Sequence, residues 1–294
     1  MKISTAQFFR SNSAALSKGQ FDASSLQARL GSGKQLTYPS EDPSKANLIA
    51  RLESSVKRES VYQRNIEVAK TRLTSEETAL TSITELFQRA SEIALIGSNG
   101  TMAAEDRAVF AAEVSEIRKE LIRLGNSKDV NGEYIFAGNR VDEAPFVEAG
   151  NGDVSYTGDN GRLKINISES RAVAINTLGN ELLRPEEFSA IRSLEQGLST
   201  NDVSSIRSSI DEIKDASDRI SVSFGRMAGR FSSLNTQEEL LEDTALRIER
   251  LISENKDLDY AKAITELSRE TLALQALQAS FTKIAQLTLF NFMR

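Results

Sequence analysis

The sequence predicts a mainly α fold with a small inserted β domain: long heptad-patterned helices in a rod-like bundle, together with a terminal coiled coil. Three observations predict it. Apolar residues recur in alternating steps of four and three over two long stretches, 48–94 and 203–252, which keeps one stripe of each helix turned toward a partner. Between these stretches Asn-Gly pairs punctuate short alternating runs, the pattern of strands and hairpins. Both ends carry further apolar segments cut off from the rest by turn residues.

Residues 1–30 hold Ile3, Phe8, Phe9, Leu16, Phe21, Leu26 and Leu30 at irregular spacing. Gly31-Ser32-Gly33 and Tyr38-Pro39-Ser40-Glu41-Asp42-Pro43 then separate this segment from the first long seam. That seam runs Leu48, Leu52, Ser55, Glu59, Tyr62, Ile66, Ala69, Leu73, Glu76, Leu80, Ile83, Phe87, Ala90 and Ala94; Ser55, Glu59 and Glu76 interrupt it. Such a helix would be about 70 Å long and would stop at Gly97-Ser98-Asn99-Gly100. A second helix follows on Phe110, Val114, Ile117, Leu121 and Leu124, with Gly125-Asn126 as its stop.

The inserted segment, 129–180, contains the pairs Asn131-Gly132, Asn151-Gly152 and Asn160-Gly161. Between them Tyr134-Ile135-Phe136, Val154-Ser155-Tyr156 and Leu163-Lys164-Ile165-Asn166-Ile167 read as strands. A helix from Pro185 to Gly197 comes next, with proline in its first turn. The third seam runs Val203, Ile206, Ile210, Ile213, Ser217, Ile220, Phe224, Met227, Phe231, Leu234, Glu238, Leu241, Ala245, Ile248 and Ile252, with Asn201 or Asp202 as N-cap. Gly225 and Gly229 weaken it and mark a close helix contact or a slight bend. Asn255-Lys256-Asp257 breaks the pattern. A last helix carries Leu267, Leu274, Leu277, Phe281 and Ile284 on one stripe, with Phe290 and Phe292 beyond. A chain that leaves and returns in this order is expected to build nested domains. These are a terminal coiled coil from 1–40 and 256–294, a helical rod from 41–128 and 181–255, and an outer β domain at 129–180. The bundle is expected to stay folded when 130–180 is replaced by a short linker.

The 39% hydrophobic and 27% charged composition suits a packed fold. The net charge of −6 argues against nucleic acid as a partner. Charge is uneven: 1–40 carries +4, 260–294 carries +2, and the middle −12. The chain has no Cys, His or Trp, so thiolate chemistry, imidazole bases and the commonest metal ligands are excluded. Gly31-Ser32-Gly33-Lys34 is too short for a phosphate loop and reads as a tight turn. Paired acids such as Glu76-Glu77 and Glu238-Glu239 read as helix faces. No enzyme constellation, cofactor site or metal site is expected. No apolar stretch is long enough to span a bilayer, and the N-terminus lacks the apolar core of a Sec signal peptide.

The terminal helices carry an apolar strip with too little of this chain to cover it, so Leu16, Leu26, Leu30, Leu267, Leu274, Leu277, Phe281, Ile284 and Phe290 are expected to form an assembly interface. Isolated helix pairs of this size are marginal in water, so both ends are expected to be disordered in the free monomer and to order on assembly.

Four segments resemble the flagellin family. Leu26–Leu36 is similar to its N-terminal signature, and Leu274–Phe281 with Gln286–Asn291 to its C-terminal helix. Pro39-Ser40-Glu41-Asp42-Pro43 resembles the PSDDP element of the hook-associated members, with Glu41 at the first acidic position. Asn131-Gly132-Glu133-Tyr134-Ile135-Phe136-Ala137-Gly138, followed by Pro145-Phe146 and Tyr156–Asp159, is similar to those members' entry into the outer domain. Gly132, Tyr134, Phe136 and Gly138 are the signature positions there. The resemblance implies a non-catalytic structural subunit at the hook–filament junction, exported unfolded by the flagellar type III system and resident outside the cell. It implies copies of itself, a neighbouring hook-associated protein, flagellin and an export chaperone as partners, with no nucleic acid and no membrane insertion. Filament flagellin and a free coiled-coil scaffold are the alternatives.

Overall fold

The computed structural model describes residues 2–290, without the side chains of 2–6, 8 and 285–290. Among these residues, seven helices and four short strands follow in the order α1 Lys2–Ser32, α2 Pro43–Gly97, α3 Ala104–Gly125, β1 Phe146–Glu148, β2 Val154–Tyr156, β3 Lys164–Asn166, β4 Ala172–Ala174, α4 Gly179–Leu182, α5 Pro185–Ser199, α6 Val203–Lys256 and α7 Tyr260–Phe290. The fold is mainly α with a small β region, as the heptads and Asn-Gly pairs predict. The chain divides into two compact units, 59–242 and the pair of segments 1–58 with 243–294.

Unit 59–242 owns the hydrophobic core. From α2 the seam positions Ile66, Ala69, Leu73, Leu80, Ile83, Phe87, Ala90 and Ala94 are all buried, and from α6 Ile206, Ile213, Ile220, Met227, Leu234 and Leu241 join them. α3 and α5 complete the cluster with Val114, Ile117, Leu121, Ile191, Leu194 and Leu198. The helix ends follow local chemistry. Pro185 opens α5 at a position whose missing N–H costs nothing. Asp202 caps α6, its Oδ1 accepting from Ser204 N at 3.0 Å and its carbonyl from Ile206 N at 3.1 Å. Asn201 is not the cap: at φ 58° it offers its Oδ1 to Arg107.

Arg107 is a buried staple that periodicity does not reveal. Its Nε donates to Gly97 O at 2.9 Å, Nη2 to Asn99 O at 2.6 Å, and Nη1 to Met102 O at 3.2 Å and to Asn201. One guanidinium thus satisfies the orphan carbonyls of the α2–α3 turn and ties it to the α5–α6 turn.

The β region consists of two antiparallel ribbons. Phe146 pairs with Tyr156 and Glu148 with Val154; Lys164 pairs with Ala174 and Asn166 with Ala172. Two expectations are corrected here. Tyr134-Ile135-Phe136 is not a strand but a turn, because Ile135 and Phe136 are both buried and a strand would send one of them outward. The segment is also no detachable appendage: Ile135, Phe136, Phe146, Val154 and Ile167 lie in the same core cluster as the helices. Removing 130–180 would therefore strip the bundle of part of its core. Gly225 and Gly229 provide a third correction. A methyl group at either would meet nothing, so neither marks a close helix contact within this chain.

The break at Glu76 in the first seam places a carboxyl group in the core. Glu76 is fully buried, and Thr177 is its hydrogen-bonding neighbour. Desolvation pushes its pKa up, opposed by Thr177 and by the guanidinium groups of Arg230 and Arg72. Arg72, also buried, spends Nη1 on Asp129 at 2.7 Å and Glu133 at 3.0 Å. Arg230 donates to Asn176 O at 3.0 Å and Thr177 Oγ1 at 3.3 Å. These charges join α2 and α6 to the inserted segment.

Candidate assembly surface

The terminal unit is built differently. α1 packs against α7, and the connection between α1 and α2 is held by capping chemistry. Gly33, at φ 67°, ends α1, and its N–H reaches Arg29 O at 2.9 Å. The chain then runs beside the α6–α7 corner: Gln35 N donates to Lys256 O at 2.8 Å and Leu258 N to Gly33 O at 3.0 Å. The Gly31-Ser32-Gly33-Lys34 stretch is thus a helix C-terminus and a bridge to Asp257. Lys256 also reaches Glu53 at 2.7 Å and holds that carboxyl below its usual range.

The Pro39–Pro43 signature has a physical reading. Glu41 Oε2 accepts from Arg29 at 2.8 Å and Oε1 from Tyr38 N at 3.2 Å, so the turn is tied back to α1. Asp42 is the N-cap of α2, its Oδ1 accepting from Lys45 N at 3.0 Å. Pro43 stands at the first helical position. Pro39 and Ser40 form the exposed turn before them.

Leu16, Leu26 and Leu30 of α1 and Leu267, Leu274, Leu277, Phe281 and Ile284 of α7 are all half-buried. The two helices approach closely at Gly19, where a methyl group would stand 2.8 Å from Leu274 Cδ1. Phe9 and Phe281 meet edge to face, their ring centres 5.4 Å apart. Phe290 closes α7 as backbone, its side chain outside the description, and Phe292 lies outside the described residues. Among the described residues, Ala263 is the one fully buried hydrophobic side chain of this unit. Phe21 is 73% exposed and Leu272 66%. The pairing of α1 with α7 thus covers each stripe on one side and leaves apolar surface open beside it.

The second signature, Asn131–Gly138, lies in the other unit and works as a clamp. Asp129 Oδ1 accepts from Asn131 N at 2.8 Å and Glu133 N at 3.1 Å, and Gly132 turns the chain at φ 83°. The Tyr134 ring receives Lys128 Nζ at 4.5 Å. Phe136 is buried, and its carbonyl accepts from Tyr156 Oη at 3.0 Å and Gly179 N at 2.9 Å. Gly138, at φ 74°, leaves no room for a side chain: a methyl group would lie 2.6 Å from Asp159 O. Sequence reasoning found the signature, Tyr156 included, and missed its partners Arg72 and Asp129. Asp129, two residues before an Asn-Gly turn, is the one with a readable local signal. Among the described residues no helix is long and apolar enough to cross a membrane.

Comparison with known proteins gives this arrangement a context. A family model for the bacterial flagellin N-terminal helical region matches residues 3–140. The chain is 27% identical to flagellar hook-associated protein 3 of Salmonella typhimurium over 320 residues, covering all of both chains. It is 21% identical to a flagellin of Listeria innocua over 279 residues, covering 94% of this chain and 90% of that one. The solved structure of a flagellar hook-associated protein from Vibrio parahaemolyticus shares the fold with a TM-score of 0.69 at 22% identity, covering 74% of this chain and all of the other.

Proposed function

We propose that this chain, as a member of the flagellin family, is a structural subunit of the bacterial flagellum that forms the junction between hook and filament. The observation that carries this reading is the end-to-end match with a hook-associated protein, which exceeds the match with flagellin in both identity and coverage. Filament flagellin is therefore the weaker reading. A free coiled-coil scaffold is weaker again, because it has no need of the two terminal signatures.

The contrast between the units supports a mechanism. Unit 59–242 buries its own seams. The terminal unit leaves its apolar stripes half-covered, and neighbouring subunits complete it. Leu16, Leu26, Leu30, Leu267, Leu274, Leu277, Phe281, Ile284 and Phe290 are the assembly interface in this reading. The partners are copies of the chain, the adjoining hook-associated protein and flagellin, with an export chaperone shielding an end beforehand. The chain leaves the cell through the flagellar export apparatus and resides outside it. The nested division into terminal coiled coil, helical rod and outward-facing β segment belongs to the same reading, and no reaction is assigned. Gold-labelled antibody against the chain, viewed by electron microscopy on intact flagella, tests the placement. A single band at the distal end of the hook is expected. Label along the whole filament would assign the chain to flagellin, and label confined to the cytoplasm would leave the scaffold.

A further inference from the structure

Four Asn-Gly pairs occur in the chain: Asn99-Gly100, Asn131-Gly132, Asn151-Gly152 and Asn160-Gly161. A glycine after asparagine leaves its nitrogen sterically free to attack the preceding side-chain amide. Whether it does so depends on what else that nitrogen is doing. In three pairs it is engaged: Gly132 N donates to Asp129 O at 3.0 Å, Gly152 N to Ala149 O at 2.9 Å, and Gly161 N to Asp159 Oδ1 at 2.9 Å. Gly100 is different. Among the described residues its N–H has no acceptor, and a methyl group placed on it would meet nothing within 4 Å.

The electrophile beside it is also prepared. Asn99 Oδ1 accepts two hydrogen bonds, from Thr101 Oγ1 at 2.9 Å and from Thr101 N at 3.2 Å. Two donors on an amide oxygen polarise its carbon and stabilise the negative charge that grows there under attack. The Asn99 main chain is held as well, its carbonyl accepting from Arg107 Nη2 at 2.6 Å and from Met102 N at 3.1 Å. A fixed backbone, a free nucleophile and a polarised carbon coincide at this pair alone among the four.

We propose that Asn99-Gly100 is a site of spontaneous deamidation in the folded protein. Gly100 N loses its proton to solvent base and attacks Asn99 Cγ, forming the new C–N bond. The bond from Cγ to Nδ2 breaks and ammonia departs, leaving a five-membered succinimide. Water then opens either carbonyl of that ring, giving aspartate or isoaspartate at position 99. Either product puts a new carboxylate at the turn that Arg107 staples. Isoaspartate also inserts one extra carbon into the main chain, which displaces the carbonyl that Arg107 holds.

The full-length protein, incubated at mildly alkaline pH and sampled by peptide mapping with mass spectrometry, tests this. Asn99 is expected to convert several-fold faster than Asn131, Asn151 or Asn160. Gly100→Ala, which hinders the nucleophile, and Thr101→Val, which removes one donor at an exposed position, should each slow Asn99 several-fold and leave the other three pairs unchanged. In denaturant the four rates should converge. Another pair reacting as fast as Asn99 in the native protein would overturn the proposal. So would an unchanged Asn99 rate in both variants, or a preference for Asn99 that persists in denaturant.

Discussion

At the scale of single residues, two buried charges decide most. Glu76 sits on a heptad seam where its neighbours are apolar, and burial raises its pKa above that of an exposed carboxyl. The folded state therefore binds its proton more tightly than the unfolded state does. Stability from this group is greatest below the unfolded carboxylate value and is lost as pH climbs toward the raised folded value. Glu76→Gln keeps the shape and removes the titration, so it should melt higher than the parent at neutral pH and show the smaller difference in acid. Melting temperature against pH checks this; a variant that melts lower at neutral pH would mean that Arg72 and Arg230 outweigh desolvation. Arg107 makes the opposite case, a buried cation satisfied by carbonyl oxygens. Arg107→Ala should cost about 1–3 kcal/mol, because the buried Gly97 carbonyl and the part-buried Asn99 and Met102 carbonyls lose their donor together, and urea denaturation would read it. Neither role was legible in the sequence. Glu76 showed only as a blemish in a pattern, and Arg107 reaches Asn201, 94 residues further along the chain.

At the scale of elements, the sequence was most readable where burial repeats. The seam from Ile66 to Ala94, the stops at Gly97 and Gly125 and the start at Pro185 all follow from periodicity and capping. Leu241 of α6 is 6% exposed within the core cluster, so Leu241→Ala should cost about 2–5 kcal/mol through lost transfer energy and a cavity. A parent-like melt would place Leu241 outside the core. Gly225 and Gly229 are exposed with open space around them, and alanine at either should stabilise α6 by up to about 1 kcal/mol. Thermal melting of the double variant measures this, and no gain would show that the helix needs the glycines. The β region was less readable because its strands are three residues long. Such strands show almost no alternation, and β1 and β4 went unpredicted. Tyr134–Phe136 looked like a strand, yet its apolar residues are buried by a turn. Replacing 130–180 with a short linker should lower the melting temperature of the helices sharply, read by circular dichroism; an unchanged melt would restore the detachable insert.

At the scale of the whole molecule, the burial contrast between the units is the point from which function follows. The core was legible as seams, and the terminal apolar stripes as helices lacking cover. The structure adds that pairing α1 with α7 leaves that cover incomplete. What the sequence could not convey was how the two signatures work, since Arg29 to Glu41 and Arg72 to Asp129 are contacts across turns and between elements. Limited proteolysis of the monomer should trim both ends and leave a helical core near 44–252. Resistant termini in a verified monomer would favour a self-contained scaffold. The most direct measurement is electron microscopy of cells that lack this chain, complemented either with the full protein or with the 44–252 core. Junction function predicts hooks without filaments in its absence, filaments restored by the full chain, and bare hooks with the core. Normal filaments in cells lacking the chain would contradict the junction role, and filaments restored by the core would remove the terminal helices from the assembly surface.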